Sequence, residues 1–427
     1  MAAAMKPWSW IPSLYFAQGL PNAIVVTLSL VLYKRMGLSN AEITLYTGWL
    51  YLPWVIKPLW SPVVEMFGTK RWWIIVTQLL GGACLAGVAL SLPGHDAVRY
   101  SLAFLWLIAF SSATHDIAAD GFYMMALDER RQAFFVGWRN TFFRLAVLAG
   151  QGGIVVLAGL LEKHYAATRS TSVVSSAWLV VFILLAVVYF LLAAYHAFVL
   201  PRPPRDKPAT RAGLAGYLAP FRVFFSTTGI LPALAFLLFF RFAEAQLVKI
   251  ASPFLLDDAS LGGLGMSTVD YGLAYGSVGL VALVVGGVTG GMLLARRGLR
   301  RCIWWMALAL NIPNLVYVYL SLAIPSSTWQ ISSCVAVEQF GYGFGFTAYT
   351  VFMIHFSDGP LGAARYAICT GFMALGMMLP GMFSGWLQEL IGYPLFFLWI
   401  ICSAIPSFLV VRLAIPLIRP PLPLHTA

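Results

Sequence analysis

The chain has 427 residues, 60% of them apolar and only 10% charged, with a mean hydropathy of +0.82 and a formal net charge of +11. A soluble globular domain carries about 25% charged residues, so the composition excludes a water-soluble enzyme or nucleic-acid-binding module and places the chain in a bilayer. The positive excess fits basic loops on a cytoplasmic face. The five cysteines (Cys84, Cys302, Cys334, Cys369, Cys402) are scattered through apolar runs without C-x-x-C spacing, which implies neither a disulfide framework nor a metal site.

Apolar runs recur from Trp10 to Leu417 and predict an all-α membrane protein of twelve spans, each near the ~20 residues that cross the hydrocarbon. The opening MAAAMKPWSW has no basic n-region and no small-residue cleavage site after it, so the first span is not expected to be a cleaved signal. The first six spans cover 10–33, 41–67, 72–92, 98–127, 133–161 and 174–200. After the Pro-rich, basic segment PRPPRDKPATRAG (201–213), six more cover 229–256, 268–295, 302–323, 329–356, 361–388 and 394–418. The expected organisation is an N-terminal six-helix bundle (1–200), a cytoplasmic linker (201–228) and a C-terminal six-helix bundle (229–427).

Polar residues inside these spans are the informative ones. Span one carries Tyr15 and Gln18. In span two, WVIKPLWSP is interrupted by Pro53, Pro58 and Pro62, and Lys57 is expected to snorkel to the inner surface. Span four contains SSATHDIAADGFYMMAL (111–127), which puts His115, Asp116 and Asp120 where each charge costs roughly 3 kcal/mol. Asp116 and Asp120, four apart, share a helix face, and His115 lies about 100° round from Asp116. Arg139 or Arg144 of span five is the expected salt-bridge partner of Asp116; the acid left without a base is the better candidate for carrying a proton.

Span seven reads FFRFAEAQLVKIASPF (239–254), where Arg241 and Glu244, three apart, can pair along one helix. Lys249 has no acid at helical spacing and is expected to face a cavity. An arginine and a lysine there suit an anionic cargo bearing carboxylates or phosphates. GGVTGG (286–291) is a small-residue packing face, not a phosphate loop. In span ten, VEQFGYGFGF (337–346) sets Glu338 and Gln339 beside three glycines, and His355 is expected at the interface. Tyr15, Gln18, Trp49, Phe122, Tyr123, Trp138 and Tyr342 are candidates for stacking on a sugar or an aromatic ring.

With both termini inside, Lys6, Lys70, Arg71, Arg130, Arg131, the linker cluster, Arg296, Arg297, Arg300, Arg301, Arg412 and Arg419 are cytoplasmic, against Lys34, Arg35, Arg99, Lys163 and Arg169 outside. The halves also echo each other. FAQGLP (16–21) has a counterpart in FAEAQL (242–247), and SPVVEMFGTKRWW in GGMLLARRGLRRCIWW, at offsets of about 226–232 residues. Parallel repeats of this kind are a transporter architecture.

Two six-helix halves with a repeated basic turn resemble the major facilitator superfamily. YLPWVIKPLWSPVVEMFGTKRWW (51–73), THDIAADGFY (114–123) and RLAVLAGQGG (144–153) are similar to motifs of its AmpG-type muropeptide permeases and their acetyl-CoA transporter relatives. His115 stands where that pattern has Gln, and Glu65 where it has Asp. Siderophore importers share the motif, so it names a family rather than a cargo. The resemblance implies a gating turn built from Glu65, Lys70 and Arg71, with Arg297 and Arg301 in the corresponding turn of the other half. It also implies a bacterial inner-membrane location.

The expected function is secondary active transport by alternating access: proton-coupled import of a muropeptide-like sugar–peptide solute by a monomer that needs no cofactor. The alternative is a siderophore or another small anion. Candidates for the proton are Asp116, Asp120, His115 and Glu338; those for the solute are Arg144, Arg241, Glu244, Lys249, Gln18, Tyr15, Tyr123 and Gln339. A rival from another class is an embedded acyltransferase with His115 as base and Asp120 orienting it. It lacks further substrate motifs.

Overall fold

The structure, a computed structural model, describes residues 6–168, 172–207, 214–358 and 361–418. All regular elements among the described residues are helices, with no strand. Hydrocarbon offers the backbone no hydrogen-bond partners, so each crossing must satisfy its own N–H and C=O groups. In chain order the helices are α1 (Ile11–Ala23), α2 (Ser29–Arg35), α3 (Asn40–Trp49), α4 (Leu52–Met66), α5 (Lys70–Ser91), α6 (Ala97–Ala126), α7 (Glu129–Leu148), α8 (Val155–Ala167) and α9 (Val173–Val199). They continue as α10 (Leu214–Phe225), α11 (Ile230–Phe239), α12 (Phe242–Leu256), α13 (Thr268–Tyr271), α14 (Leu280–Arg297), α15 (Leu299–Asn311), α16 (Leu315–Ala323), α17 (Thr328–Ser357), α18 (Gly362–Cys402) and α19 (Ile405–Ala414).

Among the described residues, nine segments are long and apolar enough to cross a membrane. One of them, Ala364–Leu417, has 54 residues, which is two crossings at ~20 residues each; Gly392, at φ 75° and ψ 165°, breaks the helix between them. The 30-residue α17 and the proline-interrupted α3–α4 pair complete twelve crossings among the described residues. Several crossings are built from pieces. Span one passes through a π-helical turn at Ile24–Leu28, span five through one at Ala149–Ile154 and span eight through one at Gly272–Gly279. Span seven, expected as one helix, stops at Phe239 and restarts at Phe242, because Arg241 takes the non-helical pair φ −110°, ψ 23°.

The chain divides into two compact units: Met1–Leu38 with Ile56–Gly213, and Ser39–Val55 with Leu214–Ala427. The second therefore includes α3, which a division of the sequence at 200 and 229 assigns to the first half. The core of the first unit gathers Trp10, Leu14, Val64, Ile74, Ala118 and Phe122. That of the second gathers Phe236, Phe240, Met306, Tyr349 and Phe352. In the second unit α14 and α17 touch backbone to backbone. A Cβ on Gly286 would lie 2.1 Å from the Phe340 carbonyl oxygen, and one on Gly343 would lie 2.0 Å from that of Leu283. GGVTGG and GYGFG thus form the two sides of one seam, as small residues do in membrane helix pairs.

α3 is fixed at its start. Ser39 and Glu42 form a capping box at its start. Just inside, the Asn40 side-chain amide donates to Gln388 Oε1 (2.7 Å) and to the Tyr393 hydroxyl (2.8 Å), while that hydroxyl donates to Asp257.

Candidate functional site

In the first unit both acids of span four are engaged. Lys57 Nζ, instead of snorkelling outward, forms an ion pair with Asp116, and the Gln18 amide donates to the other carboxylate oxygen of that acid. Asp116 is thus paired with Lys57 and not with Arg139 or Arg144. The reason is geometric: α4 brings Lys57 to the Asp116 face, whereas Arg139 meets Asp120 one turn further along. Arg139 Nη2 lies 3.0 Å from Asp120 Oδ1, and the Tyr15 hydroxyl donates to the same oxygen at 3.3 Å. The Arg139 guanidinium also sits 4.8 Å from the Tyr15 ring centre and 5.1 Å from that of Tyr123. Neither acid is left without a base. Arg144 is exposed on α7.

His115 leaves this pair and turns inward. Its Nε2 is 2.9 Å from Gln78 Nε2, the Gln78 Oε1 is 2.9 Å from His196 Nδ1, and His196 Nε2 is 2.9 Å from Ser13 Oγ. His115 Nδ1 has no hydrogen-bond partner, and the ring borders a chamber of about 10 Å³ that Thr77, Ser111 and Ser112 also line. That is room for about one water molecule. His115 and Asp120 are held by different partners, so the base–orienter pair of the acyltransferase reading does not form.

The turn before α5 is tied to the linker. The Lys70 and Arg71 backbone N–H groups donate to the two carboxylate oxygens of Asp206 at 2.7 and 3.1 Å, where a helix N-terminus favours an anion. Arg71 Nε donates to the Leu200 carbonyl at 3.2 Å and Lys70 Nζ to that of Val64 at 3.5 Å. The Glu65 side chain lies outside the described residues. Asp206 went unnoticed in the sequence because a lone acid in a basic linker carries no spacing signal.

The second unit has a different character. Lys249 is 1% exposed; its Nζ donates to Thr47 Oγ1 at 2.9 Å and sits 4.9 Å from the Tyr51 ring centre, both on the Ser39–Val55 segment of the same unit. No carboxylate lies within 4 Å of it among the described residues. Arg241 does not pair with Glu244, since the helix break at Arg241 removes the regular three-residue spacing. Its guanidinium donates to the Tyr342 hydroxyl and lies 4.7 Å from the Phe346 ring centre. Glu244, in the first turn of α12, is buried with both oxygens unpartnered. Glu338 accepts from the adjacent Gln339 amide at 2.9 Å, and that amide also reaches the Tyr275 hydroxyl at 3.4 Å.

The other expected residues fall elsewhere. Arg297, Arg301 and His355 are exposed, and Phe122 is spent in the core against Trp10. Among the described residues no group of His, Cys, Asp and Glu side chains is arranged to hold a metal.

Twelve crossings with buried charges in both units define a polytopic membrane transporter, and its family follows from comparison. The profile of the Major Facilitator Superfamily matches residues 13–364, and the chain belongs to that family; it is a transporter and not an enzyme. It is 25% identical over 402 residues to the anhydromuropeptide permease of Escherichia coli (strain K12), a match covering 92% of this chain and 77% of that one. It is 23% identical over 405 residues, 92% of each chain, to the putative transporter AmpG 4 of Rickettsia conorii. Among solved structures, the inward-facing, unoccupied bacterial homologue of the human lysosomal transporter Spinster matches with a TM-score of 0.70 at 15% identity, covering 98% of this chain and all of that one.

Proposed function

We propose that the chain imports a muropeptide-like solute, an anionic sugar–peptide, together with protons by alternating access. In this reading both termini face the cytoplasm of a bacterium and the protein lies in the inner membrane. The cargo class is suggested by the names of the relatives and by the chemistry of the second unit. The observation that carries the anionic cargo is Lys249, a buried ammonium with a hydroxyl and an aromatic ring beside it but no carboxylate within 4 Å among the described residues. Taking an ammonium out of water costs several kcal/mol unless an opposite charge offsets it. A carboxylate of the cargo would supply that charge. Arg241 adds a second cation, and the Tyr51, Tyr342 and Phe346 rings offer flat apolar surface to a sugar ring.

In the first unit, Gln18, Tyr15 and Tyr123 surround charge pairs that are already neutral. They suit orientation of uncharged cargo groups rather than capture of charge. The test is uptake into proteoliposomes across an imposed pH gradient, with labelled anhydromuropeptide and a labelled ferric siderophore in parallel. Gradient-dependent accumulation of the muropeptide is expected. Accumulation of the siderophore alone, or uptake indifferent to the gradient, would overturn the reading.

A further inference from the structure

Two carboxyl groups of the second unit lie where no cation comes within ion-pair distance among the described residues, although the Arg241 charge is felt at Glu244. Glu244 is 1% exposed and Glu338 is 2% exposed. Neither has an ion-pair partner within 4 Å among the described residues. Glu244 accepts no hydrogen bond at either oxygen. Glu338 accepts from the Gln339 amide at 2.9 Å and has the Tyr317 hydroxyl beside it. The groups facing them come from four elements. Arg241 precedes α12 with its guanidinium committed to Tyr342 and Phe346. Tyr271 and Tyr275 come from α13 and the π-helical turn after it, and Tyr317 from α16. Glu244 and Glu338 are within electrostatic reach of each other and of the Tyr275 and Tyr317 hydroxyls.

Ionised carboxylates survive burial only when cations or several donors offset the lost water. Two of them within electrostatic reach of each other resist ionising together. In the first unit the situation is reversed. A proton arriving at Asp116 or Asp120 gives up an ion pair already formed with Lys57 or Arg139, whereas at Glu244 or Glu338 it gives up none. Glu244 also stands in the first turn after the break in span seven, and broken membrane helices are where transporters place coupling ions.

We infer that Glu244 and Glu338 form one proton-holding pair, and that this pair, rather than Asp116 or Asp120, couples the proton to the cargo. The inference rests on the proton-coupled reading above. Loading forms one O–H bond on a carboxylate oxygen with a proton taken from water on the proton-rich side. Unloading breaks that bond and returns the proton to water on the other side, so one proton moves per cycle alongside the anionic cargo and no other bond changes.

The test uses the full chain in proteoliposomes, as wild type, Glu244→Gln and Glu338→Gln, with thermal unfolding as the check of folding. Infrared difference spectra between neutral and alkaline buffer need no cargo. The wild type should show loss of a protonated-carboxyl C=O band, and each variant should show that band diminished. With labelled anhydromuropeptide, one unit of pH gradient should raise wild-type accumulation about tenfold over no gradient, and this ratio should fall to about one in either variant. The proposal is overturned by a normal ratio in both variants, by a carboxyl band that neither variant alters, or by accumulation that follows a sodium gradient at fixed pH. A wild type that moves no muropeptide sinks the cargo assignment, while the infrared arm still decides the pair. If a glutamine variant does not fold, Glu338→Asp takes its place, and an unshifted band in it counts against the pair.

Discussion

In the first unit Asp116 meets Lys57 and Asp120 meets Arg139, so each of these partly exposed acids has its own base. In the second, Glu244 and Glu338 have no cation within 4 Å, and Lys249 has no acid, among the described residues. Similar inventories of charge are therefore closed in one place and open in the other. A closed pair can hold helices in register, because removing either member leaves its partner buried and unpaired. An open charge is costly to the empty protein and is offset only when a ligand or proton arrives. Opposite responses to the same kind of substitution should follow.

The largest effect is expected at Lys249. Lys249→Met should lower cargo affinity by roughly 100-fold, as loss of a desolvated charge contact does, and leave the melting temperature in detergent unchanged or higher. A clear fall in melting temperature would mean that Lys249 is part of the scaffold. Next comes the closed pair. Lys57→Met should cost roughly 2 kcal/mol of stability, less than the 3–5 kcal/mol typical of fully buried pairs, because its side chain is 17% and that of Asp116 22% exposed. The double variant Lys57→Met with Asp116→Leu should recover most of that loss, which a double-mutant cycle measures. Equal destabilisation by Lys57→Met and Lys249→Met would erase the contrast between the units.

The smallest effect sharpens the description of the first unit. Gln78 links two buried histidines, so Gln78→Leu removes a hydrogen-bonding partner from both His115 and His196. Thermal unfolding should show a loss of about 1 kcal/mol. No loss would mean that water replaces the amide.

Much of the architecture was legible because the bilayer enforces it. Apolar runs gave the crossings, and the buried acids and bases marked themselves by their cost. The pairing of those charges was not legible. Lys57 and Asp116 are 59 residues apart, and Ser13 meets His196 across 183; no local spacing encodes such contacts. The spacing of Arg241 and Glu244 even pointed the wrong way. It presumed a continuous helix, and FFRFAE contains neither proline nor glycine to announce the break that follows Phe239.

By itself the sequence determined that this is a helical membrane protein with ionisable groups set into its spans, since hydropathy and length are properties of the chain read one residue at a time. Tertiary structure alone decided which of those groups are neutralised by a neighbour and which are left open. That outcome depends on how separate helices approach and where they break, and a buried charge is stable or reactive according to what lies within a few ångströms of it.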